Sequence, residues 1–286
     1  MECFIILAVF AFVFGSYIAS FLNVCIWRIP REESVVWPPS HCPKCNARIR
    51  WYQNIPIISW IALRGRCANC REPISARYVI VELMGGVLFL LVYLQWAVPF
   101  FLRISHPMGL VAYNDIWMVP VGWLVIMGLI LGSFIDLDHY YLPDRVTIGG
   151  MVLGVLLSFL VPELQGEAQR LVALYWSLGG LAVGFFGLWA FGWLASKAYK
   201  KDAMGFGDVK LLGAIGAFFG PKAILFTVIV STLVGALVGC SLIMRGKVKF
   251  GGMAAVPFGP FLALGTLTWM FWGPRVVSWY QQLYRG

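Results

Sequence analysis

Runs of about twenty apolar residues, broken by short polar segments, recur along nearly the whole chain. At 1.5 Å rise per residue, such a run matches the roughly 30 Å hydrocarbon layer of a bilayer. The runs predict eight transmembrane helices, over residues 3–27, 79–101, 116–135, 146–162, 171–195, 209–221, 222–243 and 256–273. Helices are expected rather than a β-barrel, which would show short segments of alternating polarity. The sixth run, Val209 to Pro221, is too short to cross alone, so Asp208 is expected to be sunk below the surface or the helix to be partly re-entrant. The first run is not expected to be a cleaved leader, because no basic segment precedes it and Arg28, Pro30 and Arg31 follow it. Residues 28–78 are the one polar stretch long enough for a small soluble module. The fold class expected is an all-α polytopic membrane protein with that module between its first two helices.

Composition agrees with the pattern. Of 286 residues, 60% are hydrophobic and 12% charged, and the mean hydropathy is +0.80. A soluble core cannot absorb that much apolar material. Lys and Arg then set the orientation. The alternate loops 28–78, 136–145, 197–210 and 244–255 hold 9, 1, 4 and 3 of them, 17 of the chain's 22. By the positive-inside rule these loops are cytoplasmic and both termini lie outside. Topology accounts for most of the net charge of +9, and anionic lipid headgroups can use the rest, so no nucleic-acid partner is implied.

A module of some fifty residues needs a staple. Cys42-Pro43-Lys44-Cys45 and Cys67-Ala68-Asn69-Cys70 are two C-x-x-C knuckles separated by 21 residues. Four thiolates so arranged suit tetrahedral Zn²⁺ with no open position, hence a structural metal in a zinc-ribbon-like module. A cytosolic loop argues against disulfides. His41 adjoins Cys42, but four cysteines already complete the shell.

The remaining chemistry lies in two segments about seventy residues apart: Phe134 to Asp144, containing Asp136 and Asp138, and Gly205-Phe206-Gly207-Asp208-Val209-Lys210. The topology brings these aspartates to the same membrane face, at the ends of apolar runs where a charge needs a partner or a task. Two carboxyl groups sharing one proton can perform acid and base chemistry on a peptide. Gly205 and Gly207 are expected to let backbone approach a substrate, with φ > 0 available before Asp208. Lys210 is expected at the headgroup interface. A metal-dependent membrane transferase is the alternative, with Asp136, Asp138, Asp144 and Asp208 converging on Mg²⁺. A proton-coupled transporter would need polar groups at mid-bilayer depth and often an internal repeat, and neither is seen. A zinc-stapled scaffold without catalysis leaves Asp208 unexplained.

In order and spacing, the motifs resemble those of the bacterial prepilin peptidases of type IV pilus and type II secretion systems. The resemblance runs nearly end to end: Gly15-Ser16-Tyr17, Phe21-Leu22-Asn23-Val24, Arg28-Ile29-Pro30, both knuckles, Asn54-Ile55-Pro56, Leu63 to Cys67, Arg77-Tyr78, Glu82, Leu142-Pro143-Asp144, Gly205 to Asp208 and Pro257-Phe258-Gly259-Pro260. It implies an intramembrane aspartyl endopeptidase of the inner membrane whose catalytic aspartates fall on Asp136 and Asp208, with Gly205, Gly207 and Asp138 as supporting residues. Asp136 rather than Asp138 is selected by its distance from Pro143. Implied substrates are prepilins or pseudopilins, whose short basic leader is removed after a glycine on the cytoplasmic side. The resemblance also implies N-methylation of the new N-terminus by S-adenosylmethionine, with Gly65 and Glu82 as associated residues. The domains expected are 1–27, a first membrane helix; 28–78, a zinc loop serving methyl transfer; and 79–286, the peptidase core. Oligomeric state is not legible.

Overall fold

The computed structural model describes residues 2–97, 116–200, 204–246 and 257–285. Among them the chain is helical, with no strand beyond two isolated bridges in the polar loop. The helices are α1 (Glu2–Arg28), α2 (Ile58–Ala62), α3 (Arg77–Val92), α4 (Met118–His139), α5 (Asp144–Leu160), α6 (Arg170–Tyr199), α7 (Phe206–Met244) and α8 (Gly259–Arg285). The chain forms two compact units, Met1–Leu131 and Gly132–Gly286.

In the first unit α1 packs along α3 through small residues. A Cβ on Gly15 would lie 2.5 Å from Cβ of Phe89, and one on Gly86 would lie 2.9 Å from the Phe12 ring. In lipid, where apolar contact drives little association, such close backbone approach is what holds helices together. Trp123 of α4 stacks on Phe89 at 5.1 Å between ring centres, and its indole N–H donates to the Phe89 carbonyl at 3.0 Å. The tie satisfies a polar atom that lipid cannot serve.

In the second unit α7 packs against α5, α6 and α8. Its 39 residues would extend nearly 60 Å as one straight helix. The helix breaks at Gly220, whose φ of 74° and ψ of 179° are non-helical, just before Pro221. Proline has no N–H for the carbonyl four residues back, which is that of Ala217. Three side chains from elsewhere take up this carbonyl instead: Ser158 at 3.0 Å, Ser177 at 2.7 Å and Gln165 at 3.1 Å. Gln165 also donates to the Phe218 carbonyl at 3.1 Å. The Ala217 and Phe218 carbonyls at the break thus keep hydrogen-bond donors.

The count of eight spans is not confirmed among the described residues. Five helices among the described residues are long and apolar enough to cross a membrane: Phe4–Arg31, Arg77–Ala97, Met118–His139, Arg170–Ala198 and Phe206–Met244. Two expected spans, 209–221 and 222–243, are the halves of the last of these. The helix Asp144–Leu160 has only 17 residues, and Gly259–Arg285 has a polar second half that lowers its mean hydropathy. The expected end of the second span, 98–101, and residue 256 of the last lie outside the described residues.

Candidate active site and metal centre

Asp136 sits three residues before the end of α4 and is 6% exposed. Its Oδ2 accepts a hydrogen bond from the backbone N–H of Gly259 at 2.9 Å. This donor is the first residue of α8, one of the N–H groups that no helical carbonyl can satisfy, presented with the positive end of the helix dipole. A Cβ at position 259 would lie 2.7 Å from the same carboxylate oxygen, so the approach requires glycine. Asp138 lies two residues further along α4, about 200° around the helix, and is exposed.

Asp208 is the third residue of α7 and half-buried. Its backbone N–H bonds to the carbonyl of Gly205, the helix N-cap. An acidic residue in a first turn is favoured by the dipole. The carboxyl groups of Asp136 and Asp208 lie close enough for their charges to act on each other. Residues 72 positions apart in sequence thus come within electrostatic reach of one another in the second unit.

The two glycines before Asp208 do not use a left-handed backbone. Gly205 has φ −69° and Gly207 is helical. What they provide is space. A Cβ on Gly207 would lie 3.1 Å from Cβ of Leu142, and one on Gly205 would lie 3.3 Å from Oδ2 of Asp208. Lys210 also departs from expectation, for its ammonium pairs with Oδ1 of Asp144 at 2.5 Å and lies 5.0 Å over the Phe206 ring. That pair joins the start of α7 to the start of α5 and commits Asp144 to a cation. Among the described residues the one cluster of three or more potential metal ligands is the cysteine quartet, so the converging acidic site required by a Mg²⁺ transferase is not formed there.

In the first unit the two knuckles are copies of one turn. The N–H of Cys42 bonds to the Ala47 carbonyl and that of Cys67 to the Glu72 carbonyl, at 3.0 and 2.9 Å. The N–H groups of Asn46 and Arg71 return to the carbonyls of Cys42 and Cys67 at 2.9 and 3.0 Å. Asn46 and Arg71 both adopt the left-handed region, at φ 55° and 63°. The sulfurs of Cys42, Cys45, Cys67 and Cys70 all lie within 4.8 Å of one another, with Cys42–Cys70 at 3.9 Å and Cys45–Cys67 at 4.0 Å. A tetrahedron with metal–sulfur bonds of 2.3 Å has edges of about 3.8 Å, so the quartet fits Zn²⁺.

Electrostatics points the same way. The side-chain amide of Asn69 donates to Cys45 Sγ at 3.6 Å, and with the backbone at Ala47 it draws that thiol down to about 6. Cys70 is pushed up to about 12: the backbone at Glu72 favours its thiolate, but desolvation and the hydrogen bonds it gives to Cys45, Cys67 and Cys42 prevail. Four sulfurs this close cannot all be thiolates unless a cation joins them. His41 is outside the cluster, its Nδ1 3.2 Å from the Pro39 carbonyl.

Glu82 and Gly65 both support this module. Glu82 is buried on α3, and its Oε2 accepts the N–H of Ile57 at 2.8 Å. Ile57 has φ 64°, and the carboxylate holds that strained residue at the start of α2. Gly65 has φ 65° and lies under the Trp60 ring, where a Cβ would come within 2.8 Å of Cζ2.

Gly259 lies within a sequence motif that marks no role for it, and Asn69 stands inside a knuckle without one. A signal existed for each. Gly259 stands at a Pro-flanked start of an apolar run, and Cys42/Cys67 and Cys45/Cys70 repeat at one offset of 25 residues, which makes the whole turn a repeat.

Comparison with known proteins decides the family. The model of the bacterial peptidase A24 N-terminal domain matches residues 13–96, and that of the type IV leader peptidase family matches residues 123–240. A Myxococcus xanthus protein named prepilin leader peptidase/N-methyltransferase is 36% identical over 276 residues, covering 95% of this chain and 74% of its own length. The chain belongs to the type IV leader peptidase family. A Stutzerimonas stutzeri protein of the same name is 32% identical, covering 96% of this chain and 94% of its own length. An Escherichia coli relative named type 4 prepilin-like proteins leader peptide-processing enzyme is 32% identical, with 92% and 93% covered. No solved structure matches the chain. For a member of this family, the long apolar helices are those of a multi-pass membrane protein.

Proposed function

We propose that this protein removes the leader of type IV prepilins and pseudopilins and then N-methylates the new N-terminal residue. The observation that carries the peptidase half is Asp136 buried against the N-terminus of α8, near enough for its charge to act on Asp208 in the first turn of α7, in a chain whose relatives are named for both activities.

Asp136 and Asp208 are the catalytic pair in this reading. Asp136, which accepts the Gly259 N–H, is the ionised member and takes a proton from the attacking water. Asp208 is the protonated member and donates to the scissile carbonyl oxygen. The water oxygen bonds to the carbonyl carbon to give a diol, the carbon–nitrogen bond then breaks as the leaving amine takes the proton held on Asp136, and one diol hydroxyl returns its proton to Asp208 as the carboxyl group forms. Gly205 and Gly207 keep the approach to Asp208 clear of side chains. Asp138, exposed on α4, assists at most from the rim.

The distribution of basic residues supports an inner-membrane protein with its termini outside and the aspartates near the cytoplasmic face. There the cut falls where a basic leader meets a membrane-embedded helix. Cys42, Cys45, Cys67 and Cys70 hold a structural Zn²⁺, which cross-links the two knuckles and leaves no open coordination position. Residues 28–78 serve methyl transfer, with S-adenosylmethionine as donor. Glu82 and Gly65 act there as positioning residues, through Ile57 and Trp60.

Mass spectrometry of a prepilin incubated with the purified protein and S-adenosylmethionine tests the whole reading. The expected product lacks its leader and is heavier than the bare mature chain by about 14 Da, one methyl for one hydrogen. Asp136→Asn and Asp208→Asn are expected to give no product while Asp138→Asn retains cleavage. Normal turnover by folded Asp208→Asn would overturn the assignment.

A further inference from the structure

The last three turns of α1 and the chain that follows them border an open cavity of about 380 Å³, lined in part by Tyr17, Ser20, Arg28, Ser40, Trp51 and Asn54. That size suits a small molecule, and the walls combine aromatic rings with a few hydrogen-bonding groups, as binding sites do. Arg28 is the informative member. It is 7% exposed, and its Nη1 and Nη2 donate to the backbone carbonyls of Ser34 and Pro38 at 2.8 and 2.7 Å. Among the described residues no carboxylate pairs with it, and its sequence neighbours Glu32 and Glu33 are exposed.

A guanidinium buried without a counter-charge is costly, and the two carbonyls hold it in place without neutralising it. The wall of this cavity therefore selects an anionic group. Around it, Trp51 at 81% exposure and Tyr17 at 50% offer aromatic faces at the cavity rim. Such faces stack on a nucleobase and attract a cationic sulfur.

We propose that this cavity binds S-adenosylmethionine, its carboxylate on Arg28 and its adenine and sulfonium against Trp51 and Tyr17. The proposal rests on the methyltransferase reading above and gives that activity a site. In the reaction the free amine of the cleaved substrate attacks the sulfonium methyl carbon. The new carbon–nitrogen bond forms as the carbon–sulfur bond breaks, its electron pair returns to sulfur to give the thioether, and the ammonium loses a proton to water. An anionic lipid phosphate shares the charge that Arg28 selects, so the test separates the two sources.

The test is isothermal titration of the full-length protein in neutral detergent with S-adenosylhomocysteine, which has the same carboxylate and adenosine but no methyl to give. Wild type is expected to bind saturably, with at least tenfold weaker binding in Arg28→Gln and Trp51→Leu and a smaller loss in Arg28→Lys. Helicity by circular dichroism reports folding. Trp51→Leu guards against the structural part of Arg28's role, since its side chain is largely exposed and its loss removes little packing.

Unchanged affinity in folded Arg28→Gln and Trp51→Leu overturns the site. So does displacement of phosphatidylglycerol from Arg28 without effect on nucleoside binding, which assigns the anion to lipid. If wild type binds no nucleoside yet methylates its substrate, the site is elsewhere and the methyltransferase reading stands. If a preparation that cleaves prepilin transfers no methyl from labelled donor, that reading itself fails, and this inference with it.

Discussion

Gly259 contributes to the aspartate pair by having no side chain. Its N–H reaches Asp136 only because nothing occupies the space where a Cβ would meet Oδ2 at 2.7 Å. Gly259→Ala is therefore expected to displace the carboxylate and lower the cleavage rate about a hundredfold, the scale of a misplacement near 1 Å. Single-turnover cleavage with saturating substrate reads this directly, and a wild-type rate in a folded variant would remove Gly259 from the site. The aspartates themselves were legible in sequence as charges at the ends of apolar runs. Their difference was legible only through the family resemblance, which selected Asp136 by its distance from Pro143. Asp136 and Asp138 are alike in composition and context, and only the helical rotation between them buries one and exposes the other. Lys210 shows the converse. A basic residue near a span end reads as a headgroup anchor, and its pairing with Asp144 depends on where α5 begins.

At the scale of elements, the break in α7 is the feature on which the second unit depends. Gly220-Pro221 was visible in sequence as the junction of two apolar runs, but Ser158, Ser177 and Gln165 carry no sequence mark of their role. Gln165 serves both Ala217 and Phe218, whereas Ser177 serves Ala217 alone. Replacing Gln165 by Leu is expected to cost about 1–3 kcal/mol, the penalty for leaving buried carbonyls short of a donor. Ser177→Ala should cost less because two other donors remain for that carbonyl. Thermal unfolding in detergent ranks the two, and equal midpoints for wild type and Gln165→Leu would show that water or another group satisfies the break. The knuckles were readable in advance for a different reason. Their chemistry is local, with each turn closed by bonds no more than five residues apart in sequence.

For the whole molecule, the division into Met1–Leu131 and Gly132–Gly286 separates the cysteine quartet and the Arg28 cavity from the aspartate pair. Removal of zinc by a chelator is expected to abolish methyl transfer while most of the cleavage activity survives, with little change in helicity because the module is nearly free of regular structure. Parallel assays of leader loss and methyl incorporation on the same stripped sample decide it, and equal loss of both activities would mean that the peptidase needs the module. The sequence by itself determined the helical class, the long apolar runs, the sulfur quartet and the acidic residues, because hydrophobic length and ligand spacing are properties of contiguous chain. Tertiary structure decided which aspartate is buried, which glycine donates to it and which arginine has no carboxylate partner among the described residues. Each of these depends on groups brought together from distant parts of the chain, and burial is a property of the packed neighbours rather than of the residue.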